Sequence, residues 1–203
     1  MASDTYKTIK STSEGQFRDR GSRFLAFAWH IEKQEEVKPI LDALRKEYHD
    51  ARHHCYAYMT GSDRQTWRVS DDGEPSGTAG RPILGQINSA ELTNILIVVI
   101  RYFGGTLLGV SGLINAYRTA AAEAIRNAEL VEHAVHDYYE ISFPYLAMND
   151  VMKVFKEENV QQSDQTFENE CSVVIGIRNI SKERILTRLL RVEGLRYRHL
   201  ETR

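Results

Sequence analysis

The chain has 203 residues, 42% hydrophobic and 27% charged, the make-up of a soluble globular protein with room for one large domain or two small ones. Its formal net charge of −2 excludes a generic polyanion binder, whose affinity rests on a large Lys/Arg excess, and leaves room only for a local basic surface. Cys55 and Cys171 stand far apart with no CxxC pair, which excludes a secreted disulfide framework and reads as two reduced thiols.

The first residues, Met1-Ala2-Ser3-Asp4, lack a basic segment followed by an apolar core, so no signal peptide is expected. The longest apolar run, residues 95–100, is too short to cross a bilayer. A cytoplasmic protein with no membrane partner is the expectation. Residues 22–31 (SRFLAFAWHI) are aromatic-rich and read as a strand. Val37, Ile40, Leu41, Leu44 and Tyr48 form one stripe of a helix over residues 33–48, with Pro39 suited to its first turn. Residues 53–60 (HHCYAYMT) and 65–70 read as a hairpin closed by Gly61-Ser62-Asp63. Residues 71–80 (DDGEPSGTAG) are too rich in glycine, proline and acid for regular structure. A short helix is expected over residues 78–87, with Pro82 in its first turn. Residues 94–102 (NILIVVIRY) are a β-branched run of the kind found in a central strand buried on both faces. Gly104-Gly105 breaks it, Ser111 offers an N-cap, and residues 112–128 read as an Ala-rich helix.

Near Val135 the pattern restarts. Strands over residues 136–145, 160–167, 170–178 and 194–200 enclose helices over 147–159 and 181–191. That order is β-α-β-β-α-β, the ferredoxin-like pattern. The expected organisation is an α+β chain with a first domain over residues 1–134 and a second over 135–203.

Eight of the thirteen glycines lie between positions 73 and 112. Gly104, Gly105, Gly109 and Gly112 join a buried strand to a helix start, a layout that aims free N–H groups at one spot. One reading is an anion or phosphate site. The other is a tight turn with a close helix–strand contact. Val110 stands where a P-loop needs lysine, and the spacing is not GxGxxG. Gly73 and Gly77 belong to the acidic segment, where Asp71, Asp72 and Glu74 crowd three carboxylates within four residues. Such groups repel unless a cation neutralises them, and Arg81 and Arg101 are the candidate partners. The spacing is not that of a calcium loop, so no metal is expected there. His49, His53, His54 and Cys55 also fail as a metal set, because a helix end falls among them and strand neighbours point to opposite faces. Arg184, Arg188 and Arg191 share one side of the last helix, and Arg196 and Arg198 alternate on the last strand. They are candidate RNA contacts or a solvated amphipathic face.

Three blocks then resemble the YigZ/IMPACT family, in its bacterial two-domain branch: ARHHCYAY at 51–58, SDDGEPSGTAGRPIL at 70–84 and VVIRYFGGTLLGVSGLINAYRTAA at 98–121. The resemblance implies a ribosomal protein S5 domain 2-like first domain and a ferredoxin-like second domain similar to the last domain of elongation factor G. It implies a translation-associated regulatory or accessory binding protein whose partner is the ribosome, RNA or a translation factor. Eukaryotic relatives regulate translation under amino-acid starvation by competing for an activator of a stress kinase, and carry an extra N-terminal RWD domain that is not expected here. The motif surface carried over is Asp71, Asp72, Gly73, Glu74, Ser76, Gly77, Thr78, Arg101, Gly104, Gly105, Gly109 and Gly112. No catalytic residue and no cofactor is implied. The alternative is a phosphate- or nucleotide-binding enzyme, with residues 104–112 holding phosphate and Asp72 or Glu74 holding Mg²⁺ or acting as base. A peptide- or protein-binding module is the third reading. In the single-site reading the two glycine loops meet with Arg101 between them.

Overall fold

The computed structural model describes residues 4–202, which form two compact units, each with its own core. The first is Tyr6–His133. Asp4 and Thr5 group with the chain from Ala134 onward rather than with the first unit. The Val135 amide donates to the Asp4 carbonyl at 2.8 Å and the Ile180 amide to Asp4 Oδ1 at 3.0 Å, while Arg178 forms an ion pair with the same carboxylate.

The first unit holds strands β1 (Thr5–Ile9), β2 (Ser13–Asp19), β3 (Ser22–His30), β4 (His53–Thr60), β5 (Thr66–Ser70), β6 (Ile95–Tyr102) and β7 (Leu130–Ala134), of which β1 and β7 each reach one residue past it, and helices α1 (Val37–Glu47), α2 (Gly80–Ser89) and α3 (Gly109–Arg126). A five-stranded sheet runs β2-β3-β6-β4-β5, and β1 pairs with β7 separately. Every neighbouring pair of the large sheet is antiparallel. Residues 95–101 of β6 are all buried, because both faces of the central strand are covered. One face packs Ile97 and Val99 with Ile83 and Ile87 of α2 and Ala116, Tyr117 and Ala120 of α3. The other packs Leu96, Val98 and Ile100 with Val37, Leu41 and Leu44 of α1. Helix α1 begins two residues before Pro39, which still falls in the first turn, where its missing N–H costs nothing. Helix α3 begins at Gly109, so Ser111 is its third residue rather than its cap. The turn into it is made by Gly109 at φ +72°, a conformation that a residue with a β-carbon adopts only at a cost.

Strands β1, β2 and β7 have no counterpart in the pattern reading. In β2 (SEGQFRD) the only apolar residue is Phe17. Its Gly15 lies against α3: a Cβ there would sit 2.3 Å from the Ala124 nitrogen. Across β2 and β3, Arg18 stands directly opposite Arg23, both exposed. Like charges in that register oppose pairing. Arg18→Glu is therefore expected to raise stability by about 0.2–1 kcal/mol, read as a higher urea midpoint at unchanged slope.

The second unit is β8 (His136–Pro144), α4 (Met148–Glu157), β9 (Gln161–Phe167), β10 (Glu170–Arg178), α5 (Lys182–Leu189) and β11 (Arg196–Thr202). Its sheet order is β11-β8-β10-β9, all antiparallel. Tyr139, Ile141 and Phe143 alternate inward from β8 and meet Val173 and Ile175 of β10, Val151 and Phe155 of α4, and Ile185 and Leu189 of α5. Cys55 and Cys171 are both buried free thiols. No helix among the described residues is long and apolar enough to cross a membrane.

Candidate functional site

Both glycine loops leave the same edge of the first unit's sheet. Strand β4 begins there with His53 opposite Arg101, β6 ends there, and β3 begins there with Arg23 opposite Tyr102. The acidic loop follows β5 and leads into α2. The second loop follows β6 and leads into α3. Two helix N-termini therefore open on this edge.

The first is occupied by the chain itself. Asp71 Oδ1 accepts the amides of Ala79 at 3.0 Å and Gly80 at 2.8 Å, and Oδ2 accepts that of Gly77 at 2.8 Å. These are donors the helix leaves unpaired, and the carboxylate complements the helix dipole. Burial raises the Asp71 pKa, but the Gly77, Gly80 and Ala79 amides and the Arg81 charge outweigh it, so the net shift is downward. Asp71 thus stabilises the folded state fully above its unfolded value of about 4, and that contribution fades as pH falls through the lower folded value. Asp71→Ala is expected to cost about 1–2 kcal/mol at neutral pH. Its acid-unfolding curve should be shallower than wild type and meet it at low pH.

Asp72 braces the start of β4. Its Oδ2 accepts the His54 amide at 2.7 Å, its carbonyl lies 2.9 Å from His53 Nδ1, and Arg45 is 3.4 Å from Oδ1. Burial lowers the His54 pKa, the Asp72 charge raises it and the Arg45 charge lowers it, with a downward net result. Gly73, at φ +87°, passes over the His53 ring, and Gly77 turns at φ +78°. Thr78 donates its hydroxyl to the Pro75 carbonyl at 2.6 Å, and Ser76 is exposed.

Glu74 turns inward. Its Oε1 accepts Arg101 Nη1 at 2.6 Å and the Tyr117 hydroxyl at 2.8 Å. Only 3% of the Glu74 side chain and 7% of the Arg101 side chain are exposed. The Arg101 guanidinium lies between the rings of Phe24 (5.6 Å) and Phe103 (5.5 Å). The Cys55 sulfur is 2.9 Å from the Asp71 carbonyl and 3.3 Å from the Tyr117 hydroxyl, and its single proton serves one of them at a time. Burial pushes both the Cys55 thiol and the Tyr117 hydroxyl up, so both stay neutral. One buried cluster, Glu74–Arg101–Tyr117–Cys55, therefore ties the acidic loop to the end of β6 and to α3. In the sequence Cys55 draws notice only beside His53 and His54, and Tyr117 lies in an Ala-rich helix, so neither points to the acidic loop.

In the second loop the glycines divide. Gly104 is a packing residue: a Cβ would fall 1.9 Å from the Gly21 carbonyl carbon. Gly105 (φ +84°) and Gly109 face open space, and a Cβ at Gly112 would press on Leu108 at 3.0 Å. Around them stand Phe103, Leu107 and Val110, which are 53%, 81% and 60% exposed.

The arginines of the second unit are engaged otherwise. Arg184 pairs with Glu158 at 2.8 Å, Arg188 with Glu157 and Glu158, Arg196 with Glu170 at 2.6 Å and Arg198 with Glu140 at 2.8 Å. Arg191 is exposed.

The Impact N-terminal domain family matches residues 20–125, a span that contains both loops and the whole buried cluster. The chain belongs to the IMPACT family. An IMPACT family member of Haemophilus influenzae is 31% identical over 174 residues, 85% of this chain and 84% of that one. The IMPACT family member YigZ of Escherichia coli is 44% identical over 107 residues, 52% of each chain. A crystal structure described as a hypothetical protein covers 98% of both chains at 26% identity, with a TM-score of 0.75. The matched IMPACT domain stops short of the arginines of α5 and β11.

Proposed function

We propose that the chain is a translation-associated regulatory binding protein of the cytoplasm, engaging the ribosome, RNA or a translation factor. Its binding surface is the edge of the first unit that carries both glycine loops. The observation that carries this reading is the Glu74–Arg101–Tyr117 cluster, which joins the two loops from inside. Phe103 packs on the Arg101 guanidinium of that cluster, and Leu107 and Val110 are exposed further along the loop and at the head of α3. Exposed apolar side chains clustered beside polar loops mark interaction sites more often than scattered ones do. The known role of eukaryotic relatives in translation supports the partner class. The antiparallel sheet with α2 and α3 on one face supports an S5 domain 2-like fold for the first unit, and the β-α-β-β-α-β order supports a ferredoxin-like fold for the second.

The phosphate-enzyme alternative draws on Gly105 and Gly109 at the head of α3. The carboxylates it needs have other duties: Asp71 caps α2, Asp72 braces β4 and Glu74 is buried against Arg101. Co-sedimentation with bacterial ribosomes at low salt tests the binding reading. Wild type is expected in the ribosomal pellet, and Leu107→Asp with Val110→Asp should cut that fraction at least tenfold. No association across growth conditions, or association untouched by the double variant, overturns it.

A further inference from the structure

We propose that single-stranded RNA binds the β2–β3 end of the first unit, with its phosphates on Arg18, Arg20, Arg23 and Arg52 and a base stacked on Phe103. This deepens the translation-associated reading and rests on it. Arg18, Arg23 and Tyr102 lie in one row across three adjacent strands, β2, β3 and β6. The Arg23 guanidinium sits 4.8 Å over the Tyr102 ring. The fourth strand of the row, β4, starts at His53 opposite Arg101, and Arg52 immediately precedes it. At spacings of about 4.8 Å per strand, the row spans about 14 Å. Arg20 tops the β2–β3 turn at φ +44°. The close approach of Gly104 to Gly21 sets Phe103, 53% exposed, beside that turn.

Three features favour RNA. First, the four arginines are exposed, and none takes part in an ion pair among the described residues, whereas Arg184, Arg188, Arg196 and Arg198 all do. The acids at this edge are fewer than the arginines: Asp19 stands opposite Ser22, and Asp50 accepts the Tyr102 hydroxyl at 2.8 Å while feeling the Arg23 charge, so the row keeps a positive excess. Second, the directly opposed Arg18 and Arg23 work against the fold, which a polyanion would turn to use. Third, guanidinium groups beside the exposed Phe103 ring provide what unpaired nucleotides need, charge for the backbone and a π-face for a base.

The test is fluorescence anisotropy with a labelled 12-nucleotide oligouridine at several salt concentrations. Binding is expected with a log–log salt slope of about −3, from about four phosphate contacts on a single strand. Arg18→Glu with Arg23→Glu should weaken it at least tenfold, and Phe103→Ala about fivefold or more. Arg184→Glu with Arg188→Glu should change it less than twofold. The Arg18→Glu single variant guards against misfolding, because it is expected to weaken RNA binding while raising the urea midpoint. Lack of oligouridine binding at low salt, loss through Arg184 and Arg188 instead, or equal affinity for polyglutamate would overturn the proposal. Ribosome co-sedimentation that persists in any of those cases leaves the broader binding reading standing without this site.

Discussion

Replacing Glu74 with alanine is expected to remove about 3–5 kcal/mol of stability from the first unit. The carboxylate is the partner of an Arg101 side chain that is only 7% exposed. An arginine cannot discard its proton, so the variant strands a buried cation. The Tyr117 hydroxyl loses its acceptor at the same time. Both tryptophans, Trp29 and Trp67, lie in the first unit, so their fluorescence reports on that unit's unfolding. The urea midpoint should drop sharply, with the thermal midpoint lower by roughly 10–20 °C. The reverse change, Arg101→Leu, leaves the buried Glu74 without its cation and should also destabilise the first unit. Replacing both residues with well-packed apolar ones should recover much of the loss. A Glu74→Ala variant as stable as wild type would mean that the two loops are not tied together from inside.

Gly104→Ala should cost about 3 kcal/mol, the upper end for overpacking. The added carbon would lie 1.9 Å from Gly21 C, 2.2 Å from Ser22 N and 2.4 Å from Gly21 O. All three are backbone atoms, so no side chain can swing aside. The β2–β3 turn must part from the second loop, breaking the 3.1 Å bond from the Gly104 amide to the Ser22 hydroxyl. Gly105→Ala is the matched comparison. It has open space around it but φ +84°, so it should cost only about 1–2 kcal/mol through backbone strain. Equal losses in a urea titration would mean that both glycines serve conformation and that the turn contact is incidental.

Legibility followed burial. Residues 53–60 and 170–178 read as strands and are β4 and β10 with the same bounds, because each carries a run of apolar side chains that a sheet buries. Strand β2 was invisible because it is an edge strand with one inward aromatic, and its Gly15 serves a close approach of α3 rather than a turn. Ser111 misled because a serine before an apolar stripe resembles a cap, while the chain enters the helix through a left-handed glycine two residues earlier. The two loops stood out by glycine content, and Arg101 as a neutralising partner by charge. The four-residue spacing of the acids gave no hint that Asp71 reaches forward to amides six to nine residues on. The Arg18–Arg23 juxtaposition needed the register of a strand that the pattern did not reveal.

Amide hydrogen exchange of the chain with and without saturating bacterial ribosomes tests the account most directly. Added protection is expected over residues 15–24 and 101–112, the β2–β3 turn and the loop into α3, with none over residues 182–200. Protection confined to 182–200, or no change at the two loops while the chain sediments with ribosomes, would contradict the placement of the binding surface on this edge.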